Sequence, residues 1–132
     1  MRRPRVLAEE RGSSTVDFVL VGTLLTALTL GVLQLGFVVY VRNIVHDAAV
    51  EGAHHAALAD TTLADGAERA GLVITRAIGA QYAEDVTARA STALGHPTVE
   101  IRVRTTLPLL GLLGVPGALE VSAHAPQESF DD

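Results

Sequence analysis

The chain has 132 residues and no cysteine, lysine or tryptophan, and it carries fifteen carboxylates against ten arginines, a net charge of −5. That length leaves room for one small domain beside any membrane segment and no second domain of enzyme size. Without cysteine there is no disulfide framework, and the acidic balance offers no electrostatic footprint for a phosphate backbone, so nucleic acid is excluded as a partner.

Residues 1–12 read as a basic leader without structure of its own, with Arg2, Arg3, Arg5 and Arg11 crowded together. Beyond it the sequence runs GSSTVDFVLVGTLLTALTLGVLQLGFVVYV. No charge occurs between Asp17 and Arg42, and the 24 positions from Phe18 to Val41 amount to about 36 Å of helix. Leu, Val, Phe, Thr and Gly recur all the way round, which a water-facing helix would not tolerate. The expectation is a transmembrane stem over 13–41, with a buried core helix as the bland alternative. Arginines are concentrated before the span, so the positive-inside bias places the N-terminus in the cytoplasm and everything beyond Val41 outside. The apolar core is too long for an ordinary secretory signal.

Within the stem, Thr23, Ala27 and Gly31 recur every four residues, and Gln34 falls on the same face three positions later. Small residues on one stripe allow close helix approach, and an amide beside them can bond across the contact; the same residues are also common in any membrane helix. Asp17 at the mouth of the span is costly unless paired. Cleavage after Gly12 would give Ser13 an α-ammonium group one helical turn from Asp17, or at the same depth on a neighbouring subunit. The plainer reading of Gly12 to Thr15 is an N-cap cluster whose helix start Asp17 complements.

After Tyr40, an interfacial anchor, the helix is expected to continue into water, with Ile44, Val45, Ala48, Ala49, Gly52, Ala56 and Leu58 as its apolar stripe. Asp47, Glu51 and His54 share the opposite face with metal-ligand spacing, but with no Cys ligand and no HExxH pattern they read as a solvated polar side. Asp60-Thr61-Thr62 is a turn and cap signal before a second amphipathic helix over Leu63 to Tyr82, whose apolar side is Ala67, Ala70, Gly71, Ile74, Ala77 and Ile78. Residues 42–82 thus form a helical region. A small β-rich region follows over 83–125, with strands around Val86–Ala90, Thr98–Thr105 and Leu119–Ala123. In the middle strand Val99, Ile101 and Val103 face one way, and Glu100, Arg102 and Arg104 the other. Leu107 to Gly117 is too broken to span a bilayer and too apolar for a free loop, and reads as a lid on the outer leaflet, the stem or a partner. Residues 126–132 form a frayed acidic tail.

The junction Arg11-Gly12-Ser13-Ser14-Thr15-Val16-Asp17-Phe18 resembles the class III leader of pilins and pseudopilins, in which cleavage follows the glycine, an acid stands at mature position five and an aromatic follows. With the stem exit Gln34, Gly36, Tyr40, Arg42, Asp47-Ala48-Ala49 and Glu51-Gly52-Ala53, the first 60 or so residues resemble the TadE-like proteins, minor pseudopilins of the tight-adherence (Flp) pilus machinery. Asp17 stands where that family usually has Glu. The resemblance implies a pilin-like α+β fold in which a single-pass membrane helix continues into a long stem, followed by a second helix and a small antiparallel sheet. It also implies processing by a prepilin peptidase at Gly12/Ser13, assembly through Asp17 and Phe18, stem packing through Thr23, Ala27, Gly31 and Gln34, and other pilins and membrane lipid as partners. No catalytic constellation, phosphate loop or cofactor motif appears, so the expectation is a non-enzymatic assembly component. An uncleaved, membrane-tethered binding or sensor module is the alternative.

Overall fold

A computed structural model of the chain describes residues 7–109 and 114–128, with side chains from Gly12 onward. It is an α+β structure in the order α1 (Leu7–Ala57), α2 (Leu63–Ile78), a short 3-10 turn (Ala80–Tyr82), β1 (Asp85–Ser91), β2 (Thr98–Pro108) and β3 (Gly114–Pro126). The chain divides into two compact units, Met1–Gly36 and Phe37–Asp132.

In the first unit the described residues belong entirely to α1. The helix takes in Leu7 to Gly12, so the end of the segment expected to lack structure is helical; residues 1–6 lie outside the described residues. Phe18, Leu20, Leu24, Leu28 and Leu33 are all more than half exposed. Nothing within this unit covers them. The three threonines of the apolar stretch fold their hydroxyls back onto their own helix: Thr23 donates to the Val19 carbonyl, Thr26 to Gly22 and Thr29 to Leu25, each at 2.8 Å. A hydroxyl paired in this way presents its methyl outward and leaves no unsatisfied donor in an apolar surrounding.

The second unit has one core. Val41, Val45, Ala48, Ala49, Ala53, Ala56 and Ala57 from α1 join Ala70 and Ile74 from α2. The sheet contributes Val99, Ile101 and Val103 from β2, and Leu119, Val121, Ala123 and Ala125 from β3. The expected stripe on α1 is thus largely the buried one, except that Leu58 is exposed and lies beyond the helix end. So many alanines reflect how closely the helices approach. A Cβ at Gly52 would sit 2.6 Å from the Gly66 carbonyl oxygen and 2.8 Å from the Ala70 Cβ, and one at Gly66 would collide with the Ala56 side chain.

α2 starts at a capping box. The Thr62 hydroxyl accepts from the Asp65 amide at 3.2 Å and the Asp65 carboxylate accepts from the Thr62 amide at 2.8 Å, so two orphan donors are satisfied together. The Thr62 hydroxyl also donates to the Asp65 carboxylate at 2.7 Å, and this bond first, then the one from the Thr62 amide, holds the Asp65 carboxyl below its ordinary range. The helix stops at Ile78, four residues short of the expected Tyr82, because Gly79 takes φ +113° and sends its amide back to the Ile74 and Thr75 carbonyls. Ala77, expected on the apolar side, is exposed.

The sheet has the order β1-β2-β3, antiparallel throughout. β2 and β3 are longer than their sequence patterns indicate and reach into the segment expected as a lid, pairing Leu107 with Val115 and Pro108 with Gly114. The ladder is irregular between Thr105 and Leu107, and Gly117 has φ +67° on the bulged strand. Residues 110–113 of the expected lid, and 129–132 of the expected acidic tail, lie outside the described residues. At the other end the Gln127 amide donates to the Pro97 carbonyl at 3.0 Å and the Glu128 amide to the Ala57 carbonyl at 2.9 Å, tying the end of β3 to the last turn of α1.

Candidate functional site

The residues singled out at the junction all lie on α1. Gly12, Ser13, Asp17 and Phe18 are exposed, and no atom would obstruct a Cβ at Gly12. Ser13 and Asp17 are four positions apart on a helix, so their side chains occupy one face. Thr23, Ala27 and Gly31 are likewise exposed and follow one another at four-residue spacing, with open space above Gly31. Gln34 is only half-exposed and already makes an interaction within the molecule. A flank of this kind has small and apolar side chains, no covering element in its own unit, and one carboxylate at its start. It suits helix-to-helix packing.

The polar cluster on the lower stem has a structural role. Glu51 accepts from Arg69 Nε at 2.7 Å and thereby ties α1 to α2. Its carboxylate is committed to that guanidinium, and among the described residues no three His, Cys, Asp or Glu side chains converge as metal ligands.

The sheet's outer face holds a charge network whose members the sequence separates widely. Cross-strand register aligns Arg89, Glu100 and His124 in one row and Asp85, Arg104 and Glu120 in another, with Arg102 between them on β2. Glu100 is only 3% exposed. It accepts from Arg89 Nε at 2.6 Å and from Arg102 Nη2 at 3.0 Å, and His124 Nε2 lies 3.7 Å away. The hydrogen bond from Arg89 is the main reason the Glu100 carboxyl is held below the usual range, and it raises the Arg89 guanidinium in return. Arg104 donates to Glu120 at 2.7 Å with the same reciprocal effect. Arg102 Nε stands 3.5 Å from Glu120, a Coulombic contact rather than a hydrogen bond. The alternation of β2 placed Glu100 on the outer face; its near-complete burial comes from the flanking arginines, which pattern alone does not show.

A long apolar helix that continues into a small α+β unit, with an acid near the start of its apolar stretch, is the α+β class expected from the sequence. In the comparison with known families, the model of the TadE-like protein family matches residues 12–54, which contain the junction, the apolar stretch and the stem exit. The resemblance read from those residues is thus found independently, over that part of the chain. No curated protein and no solved structure matches.

Proposed function

We propose that this protein is a minor pseudopilin, a membrane-anchored component that helps assemble a Tad-type pilus or a related secretion apparatus. The observation that carries the reading is the contrast within α1. From Val41 onward most of its apolar residues enter the core, whereas those of the preceding stretch are exposed although no charge interrupts them between Asp17 and Arg42. Exposed leucines and phenylalanine at this density need lipid or neighbouring stems around them. In this reading the N-terminal side is cytoplasmic and the unit from Phe37 onward lies outside the membrane.

A prepilin peptidase cuts after Gly12, and the new Ser13 α-ammonium neutralises Asp17 of its own or a neighbouring chain. The Thr23/Ala27/Gly31 flank packs stems together. The partners are then the peptidase, other pilins and pseudopilins, and lipid, and the protein is a peptidase substrate without catalytic activity of its own. The test is the N-terminal residue and mass of the protein recovered from native membranes. Ser13 at the terminus is the expected result. An intact Met1 in membrane-extracted protein overturns the processing and leaves an uncleaved anchor.

A further inference from the structure

We infer that the paired ends of β2 and β3, at Leu107 and Pro108 with the adjoining Leu109 and at Gly114 and Val115, are a second membrane contact, seated in the outer leaflet beside the stem exit. The inference rests on the reading of the apolar stretch as an anchor.

The topology of the unit from Phe37 onward fixes where the hairpin points. The Glu128–Ala57 and Gln127–Pro97 hydrogen bonds put the end of β3 and the start of β2 at the C-terminal end of α1. From there β2 runs back over the ten steps from Thr98 to Pro108, about 33 Å of strand. The helix covers a similar length, about 30 Å, between Ala57 and Phe37. Val41 is fully buried and Leu107 packs against the same core, so the strands lie alongside the helix as far as its first covered turn. β1 stops pairing at Asp85↔Arg104. Beyond that row the hairpin projects alone, as two strands, toward the end of the unit where Phe37, Val39 and Tyr40 are exposed.

Charge changes at the same row. The Arg104–Glu120 ion pair is the last on the hairpin, and no charged residue occurs in the sequence from Thr105 to Leu119. On α1 the charges likewise stop at Arg42 in the direction of the span. Past the ion pair, Leu109 is 38% and Val115 46% exposed. Two elements of one unit therefore lose their charges and expose apolar side chains at the same end. A lipid surface is the occupant that suits both, because it continues the apolar surroundings that the stem already requires.

The chain lacks tryptophan, so one introduced indole reports alone. Leu109→Trp, Val115→Trp, Tyr40→Trp and Leu94→Trp are each made in the full chain, reconstituted in phosphatidylcholine vesicles with and without brominated acyl chains. Leu94 lies in the turn between β1 and β2, at the far end of the unit. Bromolipid should quench Leu109→Trp and Val115→Trp at least twofold, as it does Tyr40→Trp, and leave Leu94→Trp unquenched. If both hairpin indoles behave like Leu94→Trp while Tyr40→Trp is quenched, the anchor stands and the second contact is wrong. Hairpin indoles shielded from aqueous iodide yet untouched by bromolipid face protein instead, which equally overturns it. If Tyr40→Trp itself escapes quenching, the membrane reading fails and this inference fails with it.

Discussion

At single positions, the contacts decide what a substitution does more than residue type. Gly52 and Gly71 are both helical glycines, and alanine is intrinsically favoured over either by about 0.5–1 kcal/mol. At Gly71 nothing lies within 4 Å of the added methyl, whereas at Gly52 it meets a backbone carbonyl and the Ala70 methyl. Overpacking of that kind costs about 1–3 kcal/mol, and a backbone oxygen cannot rotate away. Gly71→Ala should therefore raise the thermal midpoint of the sheet's circular dichroism signal, and Gly52→Ala should lower it; the same sign for both would contradict the close helix crossing.

Glu100 gives a pH dependence of known sign. Its carboxyl is held below the ordinary glutamate value, about 4.3, so the stability it contributes is complete above that value. That contribution is lost as pH falls through the lower folded value. Glu120 and Asp65, also lowered, act in the same direction. Glu100→Gln should cost about 1–2 kcal/mol at neutral pH, since its partners are partly exposed and screened. It should also flatten the decline between pH 5 and 3, read as amide exchange protection along β2. Parallel profiles for variant and parent would show that the carboxylate's charge contributes nothing.

Among the elements, legibility in the sequence followed the strength of the local signal. The apolar stretch, the stem exit and the alternation of Val99, Ile101 and Val103 each repeat one physical demand over many residues, and the structure has α1 and β2 where those patterns lie. Boundaries set by single residues were less visible. Gly79 lies inside the helix expected over 63–82, and only its positive φ makes it the end of α2. The lengthening of β2 and β3 past Thr105 was hidden for a different reason. Leu107-Pro108 and Gly114-Val115 contain the residues that usually mark loops, and the ladder passes them by way of a bulge at Gly117. The junction residues are a third case. Gly12, Ser13 and Asp17 drew notice from residue type and spacing, and in a single chain they are exposed. The role proposed for them depends on a cleaved terminus or a neighbouring subunit, and the contacts of one uncleaved chain do not display it.

For the whole molecule, the partition of apolar surface leads to a further expectation. Every member of the buried core lies at Val41 or beyond, and the ties that close the fold, Glu51–Arg69 and Glu128–Ala57, also belong to the second unit. Among the described residues, therefore, the first unit contributes no side chain to that core. A chain beginning at Phe37 keeps the whole core and sheds the exposed leucines of the span. It should be soluble without detergent and monomeric at micromolar concentration, and it should unfold in a single cooperative thermal transition. The length of this unit, 96 residues, is enough for a core without disulfides, though a modest one. If the truncated chain instead binds apolar dyes, aggregates or melts without a transition, then the head depends on its stem for folding. The stem would then be a structural part of the head as well as its tether, and substitutions in the span would be expected to unfold the sheet.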